Sequence, residues 1–257
     1  MKHVPTLLRR ELSAYFLSPM AYLIFLAFQI IAAFDFNQLV VLLASNQRYH
    51  ALSFGLDDPM IHYIAGSMVF WIGLMVALPA LTMRLLAEEK RSGTIEGLLT
   101  LPITETEVVV SKWLAGVVMF WLLLAPFALY LPFLYHYGRY YFDLGPVISL
   151  SIGLTTLGMM FVSIGVFFSS LTRNQIIAAI ATFMSMFFLI LLVSLIQDIA
   201  RERNSSWADP LRYLAVFYQV LSFASGRLDI RFPAIHLSVA AFMIWLSVKV
   251  LKTRQGT

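Results

Sequence analysis

Residues 61–83 read IHYIAGSMVFWIGLMVALPALTM and residues 108–134 read VVVSKWLAGVVMFWLLLAPFALYLPFL; between them stands AEEKRSGTIEGLLTLPITETE, residues 87–107. Each flank is long enough to cross a bilayer, whose hydrocarbon core takes about 20 apolar residues of helix. Neither flank alternates polar with apolar residues, so strands are excluded. A lone helix also satisfies its own backbone in lipid. The rest of the chain agrees. Of 257 residues, 60% are hydrophobic and only 12% charged, where a soluble domain carries about 25%. The mean hydropathy is +0.81. The sequence therefore predicts an all-α polytopic membrane protein formed as a single transmembrane domain.

Working outward, six spans are expected, at about 20–43, 61–83, 108–134, 147–170, 175–197 and 233–251. Ahead of them, Leu8, Leu12 and Tyr15 share one helical face while Arg9, Arg10, Glu11 and Ser13 take the other. That pattern predicts an amphipathic helix over 3–16 lying in the membrane interface, ended by Ser18-Pro19. The first apolar run is longer than a signal-peptide core and no small-x-small cleavage site follows, so it reads as a retained span.

Charge sets the orientation. With both termini inside, Lys2, Arg9, Arg10, Arg84, Lys90, Arg91, Lys112, Arg173, Lys249, Lys252 and Arg254 fall in the cytoplasm. Arg48, Arg139, Arg201, Arg203, Arg212, Arg227 and Arg231 fall outside. The positive-inside rule favours this arrangement over seven spans. Residues 205–228 then stay on the outer side. Asp209-Pro210 reads as a helix start, an N-cap followed by Pro at N1. Trp207, Leu211, Leu214, Tyr218 and Leu221 form one stripe, so the segment is expected to dip into the outer leaflet without crossing it.

The sequence carries no chemistry of its own. There is no cysteine, which removes disulfides, thiolate metal sites and Cys nucleophiles. No G-x4-G-K-[ST], H-E-x-x-H, G-x-S-x-G or G-x-G-x-x-G occurs. No cofactor is expected in this chain, and the net charge of +4 reads as orientation rather than nucleic-acid binding. Asp35, in IIAAFDFNQLV, reads as meeting outer headgroups beyond a first span that ends near Phe36. The other reading is a functional charge at depth. His50, His62, His136 and His236 fall at or beyond the outer span ends. Ser149-x3-Gly153 and Gly165-x3-Ser169 allow close helix contact, within one subunit rather than between copies.

The stretch between the flanks is no loose tether. Thr104-Glu105-Thr106-Glu107 is a capping box in front of the third span. Pro102 closes what precedes it. Ile95, Leu98 and Leu99 share one face of a short helix flanked by Glu88, Glu89, Lys90 and Arg91, with Glu96 pointing elsewhere. A capped, charged hairpin reads as a docking element.

From Met83 to Gly116 the chain strongly resembles the ABC-2 class of ABC-transporter permeases, whose E-E-x-x-x-G-T-x-E-x-L pattern appears here as Glu88, Glu89, Gly93, Thr94, Glu96 and Leu98. VFFSSLTRNQIIAAI, residues 166–180, resembles that family's hairpin between spans four and five. LLRRELSAYFLSPMAYL, residues 7–23, resembles its elbow helix and first span. Within the class the chain looks closest to gliding-motility-type permeases, with a nitrous-oxide-reductase maturation permease a less close match. The resemblance implies a bacterial inner-membrane permease, with both termini cytoplasmic, that pairs with a second, identical or homologous, permease. A cytosolic ABC ATPase would carry the ATP and Mg. It gives Glu88, Glu89, Lys90, Arg91, Gly93, Thr94, Ile95, Glu96, Leu98 and Leu99 the role of coupling region, and Trp207, Leu211, Leu214, Tyr218 and Leu221 that of external gate. The work would be export or action on periplasmic partner proteins. A different class, a membrane anchor for a metalloenzyme or electron-transfer complex, is suggested by the outer histidines and many methionines.

Overall fold

The computed structural model describes residues 3–44, 61–94, 97, 103–137 and 143–253, and all regular structure among them is helical. Ile95, Glu96, Leu98 and Leu99 lie outside the described residues, as do Lys2, Arg48, His50, Arg139 and Arg254. In chain order the elements are α1 (Val4–Phe16), α2 (Pro19–Ala44), a π-helical turn (Ile61–Ala65), α3 (Met68–Thr82), α4 (Arg84–Ser92), α5 (Glu105–Tyr137) and α6 (Leu144–Leu171). Then come α7 (Gln175–Phe187), a second π-helical turn (Phe188–Leu192), α8 (Val193–Glu202), α9 (Ala208–Arg212), α10 (Val216–Ala224) and α11 (Arg231–Thr253). Among these residues, six stretches are long and apolar enough to cross a membrane: Pro19–Val41, Met68–Ser92, Glu105–Phe133, Leu144–Leu171, Gln175–Glu202 and Arg231–Thr253. The chain is a multi-pass, all-α membrane protein.

Local sequence fixes several helix starts. Thr104 and Glu107 form the reciprocal capping box: Glu107 N donates to Thr104 Oγ1 at 3.3 Å and Thr104 N to Glu107 Oε2 at 3.1 Å. Asp143 and Asn174 cap α6 and α7, accepting from Gly145 N and Ile176 N. Pro79, Pro126 and Pro132 stand inside helices without ending them.

Helix α6 is the hub of the bundle. It packs against α3, α4, α5, α7, α10 and α11, most extensively against α11. Its small residues make this possible. A Cβ on Gly153 would meet the Phe223 ring at 2.3 Å, and one on Gly165 would meet Thr82 Oγ1 at 2.2 Å. Both contacts lie within this one chain. A buried aromatic group of Phe28, Phe70, Tyr63 and Phe127 packs edge-on or tilted between α2, α3 and α5.

Four expectations need correction. The run 61–83 is not one helix: Gly66-Ser67 interrupts it, and Ser67 Oγ caps α3 by accepting from Phe70 N at 3.1 Å. The first span does not end near Phe36, since α2 continues to Ala44. Asp35 is only 5% exposed and accepts a 2.7 Å hydrogen bond from Ser67, while its Oδ2 is buried with no partner among the described residues. It is thus a buried group facing neighbouring helices rather than headgroups. Third, the helix near Asp209 starts earlier, with Trp207 in the N-cap position and Asp209 inside. The stripe from Trp207 to Leu221 is also broken, because the helix stops and restarts at Ala215. The face of α10 that is buried is Val216, Gln219, Val220, Phe223 and Ala224. Last, α1 buries Leu7, Glu11 and Tyr15, so Glu11 belongs to the inward face.

Candidate functional site

The stretch after α3 builds one end of the bundle, where α1, α4, the start of α5 and the end of α6 meet. The break between α3 and α4 has an identifiable cause. Ser169, one turn beyond Gly165, inserts its hydroxyl at Met83. Ser169 Oγ donates to Met83 O at 2.9 Å and accepts from Leu86 N and Ala87 N, both at 3.0 Å. A side chain inserted into the i→i−4 ladder bends or breaks a helix. Here it also satisfies the amides that a helix start leaves without partners. The next residue holds α4 as well, since Lys90 Nζ donates to Ser170 O. Gly93 then ends α4 in the left-handed conformation, φ 75°, which glycine adopts without penalty.

The other side of α4 is tied by charge. Lys112, near the start of α5, has a side chain 2% exposed and pairs with Glu89 Oε1 at 2.9 Å and Glu11 Oε2 at 3.0 Å. Arg10 bridges the same two acids from the surface, at 2.8 Å to Glu11 and 3.1 Å to Glu89. This is why Glu11 faces inward: its partner sits on the helix that α1 packs against. Tyr15, one turn later on α1, donates to Leu81 O at 2.7 Å. Burial holds its hydroxyl well above the ordinary tyrosine range. Arg84 lies over the Tyr15 ring, 4.8 Å from its centroid, and donates to Ser18 Oγ at 2.6 Å. Thus α4 is fastened to α1, α5 and α6 by buried or half-buried polar contacts, most of them charge-assisted and therefore stronger than neutral ones.

The structure sorts the residues expected to dock a partner. Glu88, Arg91, Gly93 and Thr94 are exposed. Glu89 is half committed to Lys112 and Arg10, and Lys90 is buried. Lys112, Glu11 and Arg10 were not singled out as site residues by sequence reasoning, and Ser169 only as a close-packing position. The available signal was a charge embedded in an apolar run, as in VVVSKWLAG, with a charge of opposite sign on the inward face of α1.

At the opposite end, α8, α9 and α10 form a compact outcrop before α11. Tyr218 donates to Asp198. Burial and the Asp198 carboxylate push the Tyr218 hydroxyl up to about 12. Among the outcrop residues named by the sequence, Trp207 and Leu214 are exposed, while Leu211, Tyr218 and Leu221 are half-buried. His236 is buried, 1% exposed, not at the surface. Among the described residues no group of three or more His, Asp or Glu is placed to hold a metal ion.

A family model described as ABC-2 family transporter protein matches residues 11–248, all but the two ends of the chain. No curated protein matches it.

Proposed function

The chain belongs to the ABC-2 family of transporter proteins, and we propose that it is the permease subunit that receives mechanical work from a separate cytosolic ATPase through α4 and the residues that follow it. One observation carries this reading. The exposed face of α4 (Glu88 and Arg91), with Gly93 and Thr94 just beyond its end, is the open side of a lever whose other faces are bonded to α1, α5 and α6. A push on that face moves four helices together. A flexible loop would absorb the same push.

On this reading the α1 end of the bundle is cytoplasmic in a bacterial inner membrane, and α8–α10 stand on the periplasmic side as an external gate. ATP and Mg belong to the ATPase, since the chain has no phosphate cradle. The permease works as a pair with an identical or homologous subunit, and the output is export or work on periplasmic partners. The coupling contacts are Glu88, Arg91, Thr94 and, by sequence, Ile95, Glu96, Leu98 and Leu99.

The test is copurification with the ATPase and its hydrolysis rate. Glu88→Ala/Arg91→Ala weakens assembly mildly, because an exposed pair contributes only about 0–1 kcal/mol. Leu98→Asp uncouples hydrolysis from the membrane subunit, because it places a charge on the apolar face of the docking helix. Normal ATPase binding and stimulation by a well-inserted Leu98→Asp protein would refute the assignment.

A further inference from the structure

His236 opens a polar chain across the end of the bundle opposite α1. Its Nε2 lies 2.6 Å from Gln219 Oε1 and its Nδ1 3.0 Å from Thr156 Oγ1. Gln219 is also 1% exposed, and its Nε2 donates to Tyr213 O at 2.5 Å. Thr156 Oγ1 lies 3.1 Å from Gly153 O and 3.2 Å from Ile152 O. The three side chains come from α6, α10 and α11. They sit in an apolar shell in which Phe223 packs edge-on against Phe232 and fills the space beside Gly153.

The donors and acceptors assign themselves. The Tyr213 carbonyl only accepts, so the Gln219 NH2 faces it and the Gln219 oxygen faces His236. That oxygen only accepts, so His236 Nε2 carries a hydrogen. Nδ1 then accepts the single Thr156 hydroxyl hydrogen, which is turned away from Gly153 O and Ile152 O, the two carbonyls competing for it. Every polar atom of the Gln219–His236 pair has a partner, and a buried network in that state fixes one arrangement, while a half-satisfied one is costly. Gln219 is the one polar side chain on the buried face of α10. Nothing else on that face is directional: Val216, Val220, Phe223 and Ala224 bind by shape alone.

We propose that His236 is the positioning residue that seats α10 against α6 and α11, so that release of its two hydrogen bonds unseats this short helix without loosening the spans. The proposal rests on the reading of α8–α10 as a gate only for its consequence. The seating itself is tested separately.

The cysteine-free chain of 257 residues, in membranes, is given Val220→Cys, at a position 0% exposed on α10, or, as a control, Leu157→Cys, 0% exposed in the middle of α6. The rate of reaction with a membrane-impermeant maleimide is measured. His236→Leu raises the rate at position 220 at least about tenfold, the factor that corresponds to losing one buried hydrogen bond. Position 157 stays unreactive, and His236→Gln, whose amide nitrogen replaces Nε2 as donor, restores slow labelling at 220. If His236→Leu exposes position 157 as well, Thr156→Val decides, since it removes one hydroxyl at constant shape. Faster labelling at 220 alone then supports the proposal. Unchanged labelling at 220 in the folded variant, or equal acceleration at both positions in Thr156→Val, overturns it. Faster labelling at 220 with unaltered ATPase stimulation and transport would leave the seating intact and refute the gate.

Discussion

Lys112→Met is the sharpest probe of the tie between α1, α4 and α5. Methionine keeps the length and the helix preference of lysine but removes the charge. In the folded chain Lys112 is 2% exposed and lies within 3.0 Å of Glu11 and 2.9 Å of Glu89. The two carboxylate oxygens it bridges are therefore no more than about 6 Å apart, and without it they repel by about 3 kcal/mol at an effective dielectric near 20. Breaking a buried ion pair by removing one partner costs about 3–5 kcal/mol in general, so both estimates converge on about 3 kcal/mol. Arg10 touches the same acids but is 49% exposed, and Arg10→Ala should cost no more than about 1 kcal/mol. The third member of the series is Glu11→Gln/Glu89→Gln/Lys112→Met. It removes all three charges and should recover most of the loss, because a whole buried cluster exchanged for neutral groups is often nearly neutral. Intrinsic tryptophan fluorescence during thermal unfolding in detergent reads the series, with Lys112→Met roughly 6–12 °C below wild type at about 2–4 °C per kcal/mol. A Lys112→Met protein that melts with wild type, or an Arg10→Ala protein that melts as early as Lys112→Met, would refute the reasoning.

Ser169→Ala should destabilise by about 2–3 kcal/mol in the same assay, since it strips a partner from Leu86 N, Ala87 N and Met83 O at once, whereas Ser170→Ala should do little because the Lys90 contact uses the Ser170 backbone carbonyl. Tyr218 is held protonated in the fold, its hydroxyl raised from 10.0 to about 12. The stability it adds is complete below pH 10 and is lost as pH rises toward about 12. Tyr218→Phe should flatten that limb of an alkaline unfolding curve, and an unchanged limb would count against the Asp198 contact. Ser67→Ala should cost more than Asp35→Asn, because it removes both the α3 cap and a buried hydrogen bond to Asp35 Oδ1; equal melting of the two would contradict the buried Asp35–Ser67 bond.

The sequence by itself determined the class of this protein and its six long apolar helices. Span length and apolarity are local properties, because each membrane helix satisfies its own backbone and meets lipid whatever its neighbours do. The Thr104–Glu107 capping box, the break at Ser18-Pro19 and the close-packing small residues of α6 were legible for the same reason. The contacts involved span a few residues or need only a missing side chain. Tertiary structure alone decided the rest. Glu11 was assigned to the solvent face because helical periodicity cannot distinguish a solvated charge from one paired across 101 residues with Lys112. Lys90 was expected at a docking surface, yet the end of α6 draws it inward. His236 was expected at the surface, but Gln219 and Thr156, far from it in sequence, make its burial affordable. In each case a polar side chain was buried by a partner distant along the chain, and desolvation is tolerable only where that partner stands. The sequence order does not encode that meeting directly; the packing of the helices does.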